Sequence, residues 1–397
     1  MSSSTTSSGS STPDLKSSRS DELEARNQGG AAIAPARVTL IPGDGTGPEL
    51  VDAACVVLEA TGVEIEWDRQ QIGSAAEGSA TGLPDSALDS IRSNGVALKG
   101  PVTTTKERRG PKTVNVELRR ALDLYAQVRP SKSRTGIRTP YQGVDIVVIR
   151  DTTEDLYGGV QFDAGAEDTE SLIEAVNRAG RGTVKPGSAL GIKPVSEAAT
   201  ERVVTFALDY ARGHGYSRVT AIHKASAMRA TDGLFLEVAR QVGGMAADVQ
   251  FDDMLVDSAC ANLVRRPEEF GVLVTMNMYG DILSDLAAAL VGGIGLASGA
   301  NYGPTAAVFE AAHGSAPKYA GLGKVNPMAM ILSGALLLRH LGANEAATWV
   351  EAAVDDVIAE GKILTYDLER SPPERPPATT DEVAHAVADA VRMRRQP

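Results

Sequence analysis

What most limits the fold of this 397-residue chain is a repeated alternation of short apolar runs with amphipathic stretches. The run at 38–41 (VTLI) leads into a glycine-rich turn, GDGTG at 43–47. A helical pattern follows, opening on Pro48, a residue suited to a first helical position. It stops at Thr61-Gly62, and residues 63–67 (VEIEW) alternate as a strand does. The same order recurs as helix 84–94, strand 96–99, helix 114–123, strand 145–149, helix 196–213 and strand 218–223. A helix near 232–241, a strand at 272–277 and helices at 281–290 and 326–341 follow. Strands separated by helices in this way predict an α/β protein around a largely parallel sheet. Residues 157–194, rich in Gly and acids and weakly periodic, read as an insertion or arm. A Pro-rich break at 371–377 precedes a last helix at 381–394.

Charge and composition remove several function classes. There are 51 Asp+Glu against 39 Lys+Arg, a net charge of -12, so nucleic acid is not an expected partner. Any anionic small ligand must be held by local basic clusters. Cys55 and Cys260 are the only cysteines, which leaves no disulfide framework and no Cys-based zinc site. Residues 286–309 carry no charge, but Gly292, Gly293, Gly295, Gly299, Gly303 and Pro304 break the run. A helix followed by a tight loop in a soluble core is expected there, and no membrane span. The first 36 residues form a Ser/Thr-rich tail with nothing apolar to bury, and disorder is expected. Asp14, Asp21, Glu22 and Glu24 argue against a mitochondrial presequence, so a cytoplasmic location is expected.

Four constellations carry chemistry. In GDGTG the third glycine falls one residue early for a dinucleotide fingerprint, and the matching acid is ambiguous between Glu64 and Glu66. A dinucleotide turn and a plain packing turn both stand. NVELRRALDLYAQVRP (115–130) and VIRD (148–151) put Arg119 on a helix, and Arg129 and Arg150 at the ends of apolar strands. Such arginines serve either structural ion pairs or a pocket for an acidic substrate. Asp281 and Asp285 lie four apart in the first turn of the expected helix. Their carboxylates share one face and repel unless a cation or the helix N-terminus offsets them; oxygen donors of this kind favour Mg²⁺ or Mn²⁺. Finally, FEAAHGSAPKYAG (309–321) is a small-residue loop with His, Lys and Tyr, suited to a nucleotide or to a plain surface.

Taken in order from about 38 to 370, several stretches resemble the β-decarboxylating dehydrogenases, the family of isocitrate and 3-isopropylmalate dehydrogenases. They are IPGDGTGPE, LKGPVTT, NVELRRALDLYAQVRP, IRDTTEDLYGG, HKASAM, NMYGDILSDLAAALVGGIGLASGANYG and EAAHGSAPKYAG. The resemblance implies a non-Rossmann α/β fold with large and small domains around a central cleft. The large, coenzyme-binding domain would comprise 37–125 and 300–397, and the small, substrate and dimer domain 126–299 with the arm 157–194. It implies a substrate pocket built from Thr113, Asn115, Arg119, Arg129 and Arg150. Lys224 would take the hydroxyl proton and Tyr157 would protonate the product carbon. Asp257, Asp281 and Asp285 would hold Mg²⁺ or Mn²⁺, with Asp257 facing its own or a neighbouring subunit's pocket. Thr104, His313, Gly314 and Asn326 would bind the coenzyme. Lys318, Tyr319, Tyr366 and Arg370 would surround a 2′-phosphate, which makes NADP the expected coenzyme, as in bacterial NADP-dependent isocitrate dehydrogenases. A homodimer with shared active sites is implied, oxidising and decarboxylating isocitrate to 2-oxoglutarate and CO₂.

Two departures bear on the substrate. Lys106, Arg108, Arg109 and Lys112 lie where such enzymes have a glycine-rich loop, and Thr113 takes the place of a serine. Ser226 stands where many members have Asn. Extra cations near the substrate's far end would be solvated charge, or would suit a homologated acid or a phosphonate. A non-catalytic regulatory subunit is the alternative of another class; it should have lost one of Tyr157, Lys224, Asp281 or Asp285, and all four are present.

Overall fold

The computed structural model describes residues 35–76, 81–103, 113–368 and 376–396. The Ser/Thr-rich tail up to 34, Thr104, the basic loop 106–112 and Arg370 lie outside the described residues.

Ten strands form one sheet in the order β2-β1-β3-β12-β11-β4-β5-β10-β8-β9. Their ranges are β1 Ala36–Ile41, β2 Ile65–Arg69, β3 Val96–Lys99, β4 Ala126–Lys132, β5 Asp145–Asp151, β8 Arg218–His223, β9 Gln250–Leu255, β10 Val272–Thr275, β11 Ala300–Tyr302 and β12 Ala307–Glu310. The group β2, β1, β3, β12 is parallel, and so is β5, β10, β8, β9. The two groups run in opposite directions, because β11 pairs antiparallel with both β12 and β4, and β4 antiparallel with β5. The two-residue strands β6 (Gln161–Phe162) and β7 (Leu190–Gly191) make a separate ribbon in the arm, with helix α4 (Glu167–Arg178) between them in the chain.

Helices cover both faces, which is why the strands read as apolar runs rather than as alternating ones. Over the first half of the sheet, α1 (Gly47–Ala60), α9 (Met328–His340), α10 (Asn344–Glu360) and α11 (Thr380–Arg395) bury one cluster that includes Val38, Leu58, Phe309 and Ile331. On the opposite face α2 (Asp85–Asn94) and α3 (Val114–Ala121) close over Ile41, Ala97 and Val308. In the second half α5 (Glu197–His214) and α6 (Thr231–Gly244) pack on Val147, Ile149 and Val274. There α7 (Val256–Arg265) and α8 (Asn277–Leu290) pack on Ile146, Val148 and Leu273.

Two expectations are corrected. Residues 291–309 are not a tight loop after a helix: they contain β11 and β12, two strands in the middle of the sheet. Charge is absent there because both strands are covered on both faces, and the glycines mark the turns between short elements. The second correction concerns α8, which begins at Asn277 and not at 281. Asp155 accepts the Met278 N–H at 2.7 Å and so supports the first turn. Asp281 and Asp285 therefore sit in the second and third turns, where the field of the helix N-terminus is weak.

Candidate active site

Strand register assembles the polar centre. Facing residues in neighbouring strands share a side of the sheet, and alternate residues return to it. Lys99 is level with Glu310, Asn301 with Gln127, and Gln127 with Arg150. Lys99, Glu310, Asn301, Gln127, Arg129 and Arg150 thus project from one face across five adjacent strands. That face is the one covered by α3 and α8.

Arg119, from the last turn of α3, reaches down into this row. Its Nη2 donates to Glu310 at 3.0 Å and its Nε to Asn301 at 3.1 Å. Glu310 also holds Lys99, whose Nζ lies 2.7 Å away and whose side chain is 1% exposed. Burial opposes ionisation of Glu310, but Lys99, then Arg119 and Arg129, outweigh it and hold the carboxyl well below its usual range. Asn301 accepts a second bond from Gln127 at 2.9 Å, while the Gln127 Oε1 is buried without a hydrogen-bond partner.

Arg150 sits under α8. A side chain at Gly280 would place its Cβ 2.2 Å from the Arg150 Cβ, so only glycine lets the helix come this close. The approach brings Arg150 into an ion pair with Asp281, one residue further along. The Tyr157 hydroxyl donates to the other oxygen of Asp281 at 3.0 Å. Burial works against the Asp281 carboxylate, yet Arg150 beside it outweighs that and holds it below its ordinary value. Burial and then Asp281 hold the Tyr157 hydroxyl above its usual range, so the phenol keeps its proton.

Between these two arginines lies Arg129, with Nε and Nη1 both buried and without a hydrogen-bond partner. Burial, opposed by Glu310 but reinforced by Arg150 and Arg119, pushes it down to about 10, so it is still a cation at neutral pH. A buried guanidinium without its hydrogen bonds is costly, and an anion bearing several carboxylates supplies what is missing. The Asn115 Oδ1 is likewise buried and unpartnered, while the Thr113 hydroxyl caps α3 by accepting from the Val116 N–H at 3.3 Å.

Asp285 makes no hydrogen bond or ion pair among the described residues. Burial and then Asp281 raise its pKa, with Arg129 and Arg150 pulling the other way. A divalent cation against Asp281 and Asp285 would relieve that repulsion, and the oxygen donors fit Mg²⁺ or Mn²⁺. Among the described residues no three ligating side chains of one chain converge on a metal position. Asp257 is elsewhere, paired with the Lys224 ammonium at 2.6 Å, which holds its carboxyl below the usual range. One chain therefore gathers Arg119, Arg129, Arg150, Tyr157, Asp281 and Asp285, and separately Lys224 and Asp257.

Four loops are knotted together beside the expected coenzyme residues His313 and Gly314. Gly43 and Gly45 have positive φ, and a Cβ at either would lie 2.2 Å from a backbone oxygen, of Pro101 and Ser315 respectively. Asp44 accepts the Ser74 and Thr103 N–H groups at 2.8 and 2.7 Å, and Thr103 bonds the Ser315 hydroxyl at 2.8 Å. The glycine turn is thus a packing turn. His313 Nε2 is buried without a partner, and burial lowers its pKa. Further along, the Lys318 and Lys324 ammoniums lie 4.7 and 4.8 Å from the centre of the Tyr319 ring, whose centroid is 6.4 Å from that of Tyr366. Asn326 is already engaged: its Nδ2 donates to Asp367 at 3.0 Å and its Oδ1 accepts the Met328 N–H at 3.0 Å.

The family model described as isocitrate/isopropylmalate dehydrogenase matches residues 37–387. The chain belongs to this family. A protein of Arabidopsis thaliana named as the mitochondrial NAD isocitrate dehydrogenase catalytic subunit 5 is 40% identical over 361 residues, 90% of this chain and 89% of its own. The mitochondrial NAD isocitrate dehydrogenase subunit alpha of Homo sapiens is 40% identical over 333 residues, 83% of this chain and 85% of its own. The crystal structure of isocitrate dehydrogenase from Methylococcus capsulatus superposes with a TM-score of 0.81 at 44% identity, covering 90% of this chain and 99% of that one.

For this family member, sequence reasoning named the three arginines but not what holds them. Lys99, Gln127, Asn301, Glu310 and Gly280 were all missed. The available signal was a polar residue inside an otherwise apolar strand, as in VALK and AVFE. Asp44, which ties these loops together, was visible only as part of a glycine motif.

Proposed function

We propose that the chain oxidises and decarboxylates isocitrate to 2-oxoglutarate and CO₂, with NADP and Mg²⁺ or Mn²⁺, as a cytoplasmic homodimer with shared active sites. The observation that carries the reading is Arg129: a buried cation with unmet hydrogen bonds, flanked by two more arginines and by Asp281 and Asp285. Three guanidiniums suit a tricarboxylate, each able to bind one carboxylate in bidentate fashion. Bound there, a divalent ion would supply Lewis acidity at the substrate's hydroxyl and carboxylate oxygens, and a nicotinamide ring would take the hydride. Lys224, released from Asp257 as the neutral amine after giving up its own proton, accepts the hydroxyl proton, and Tyr157 gives its proton to the carbon that loses CO₂.

NADP is favoured by the two ammoniums and two phenols grouped at Lys318, Tyr319, Lys324 and Tyr366, since an acid in that place would repel a 2′-phosphate. The names of the Arabidopsis and human relatives favour NAD instead. The relatives are also named as mitochondrial; the cytoplasmic placement rests on the four acids among the first 24 residues. One assay series decides the substrate and the coenzyme. Isocitrate, homoisocitrate, 3-isopropylmalate, tartrate, malate and a phosphonate analogue are each offered with Mn²⁺ and either NADP or NAD, following absorbance of the reduced coenzyme. Isocitrate with NADP should be fastest, and EDTA or Asp281→Asn should abolish turnover in a folded protein. If no acid yields reduced coenzyme, the non-catalytic subunit becomes the better account.

A further inference from the structure

Lys193 belongs to neither half of the site, yet it touches the supports of both. It lies just after β7, at the end of the arm, and its side chain is only 6% exposed. Its ammonium is 2.6 Å from Asp232 Oδ1 and 3.7 Å from Asp155 Oδ1, and 4.8 Å from the centre of the Tyr279 ring. Both carboxylates are buried, at 1% exposure for Asp155 and none for Asp232. Each has a second task. Asp232 Oδ2 accepts the backbone N–H of Lys224 at 2.7 Å. Asp155 Oδ2 accepts the Met278 N–H in the first turn of α8, the helix that carries Asp281 and Asp285.

Asp155 also shapes the Tyr157 turn. Its φ is +69°, a left-handed conformation that a non-glycine residue holds only when its surroundings insist. Its N–H donates to Pro194, next to Lys193, and its carbonyl accepts the Gly158 N–H at 2.9 Å. The remaining oxygen, Oδ1, has no hydrogen bond and has Lys193 as its counter-charge. A single buried cation therefore balances two carboxylates, one fixing the Lys224 backbone and one fixing the Tyr157 turn and the start of α8. Without it the two anions would face a low-dielectric interior unbalanced.

We propose that Lys193 is a positioning residue, holding Lys224 through Asp232 and the Tyr157 turn through Asp155. This rests on the proton-handling roles given to Lys224 and Tyr157 above. The test compares the full-length wild type with Lys193→Met, Lys193→Arg and, should Lys193→Met fail to fold, Asp155→Asn. In Lys193→Met, kcat should fall about ten-fold or more while KM for isocitrate stays within about two-fold, because the arginines are untouched. Lys193→Arg should recover most of the loss. Hydrogen exchange gives a readout independent of turnover: the Lys224 and Met278 amides should both exchange about ten-fold faster in Lys193→Met. An unchanged kcat in the folded variant, or protection kept at either amide, overturns the proposal. A wild type inactive on every acid removes the proposed function instead, and the exchange measurement still decides the role of Lys193.

Discussion

Two ammonium groups over one tyrosine ring give the coenzyme question its residue-scale form. Lys318 and Lys324 approach Tyr319 from the loop and from beyond it, and Tyr366 completes the group. Replacing Lys318→Asp together with Tyr319→Ile exchanges a cation for an anion and removes a hydroxyl. The ratio of kcat/KM for NADP to that for NAD should fall by more than about ten-fold, since a charge-assisted bond to a phosphate is lost and a repulsion gained. An unchanged ratio would refute the phosphate assignment. At this scale the chain was legible where a side chain broke the character of its neighbourhood. Arg129 and Arg150 stood out against apolar neighbours and proved to share one sheet face, although Arg129 lies in the middle of β4 and not at its end. Glu310 and Asn301 did not stand out, because which face a residue occupies depends on pairing between strands far apart in sequence. The partner of Asp281 was hidden for a similar reason: Gly280 looks like a helix weakness until Arg150 is seen beneath it.

Among the secondary-structure elements, those bounded by local chemistry were the readable ones. Strand 96–99 and the helix starting near 84 agree with the fold to within a residue, and Pro48 and Gly95 mark ends that the backbone respects. The last helix is a clear case. Thr379 accepts the Glu382 N–H at 3.2 Å while Glu382 accepts the Thr379 N–H at 2.8 Å, a reciprocal cap for α11. Thr379→Ala should lower stability by about 1 kcal/mol in urea denaturation, with the midpoint shifted and the slope unchanged. No shift would mean that packing of α11 against α1 and α10 alone sets its start. Less readable were β11 and β12, of three and four residues, whose strand character comes from pairing in the sheet centre. The edge strand β9 (QFDDML) was missed because its acids face partners at the rim: Asp252 pairs with Arg218, and Asp253 with His223 and Arg240.

At the scale of the whole molecule, a single chain divides the proposed machinery into two groups, with Tyr157 at Asp281 and Lys224 at Asp257. If each active site draws one group from each subunit of a twofold dimer, two inactive variants can complement each other. Tyr157→Phe and Lys224→Met, each inactive alone, should regain about a quarter of wild-type activity when denatured and refolded as an equal mixture, since half the dimers are hybrids and each has one intact site. No recovery would place both groups in one subunit's site.

The knot made by Asp44, Thr103 and Ser315 has a consequence for affinity at this same scale. Four segments of chain, counting that of Ser74, are already tied together by these bonds, so if the coenzyme binds here as proposed, the entropy of arranging them is spent once, during folding, and not at every encounter. Asp44→Asn should therefore weaken nucleotide affinity through a looser cradle, even though the carboxylate it alters is turned toward the protein's own amides.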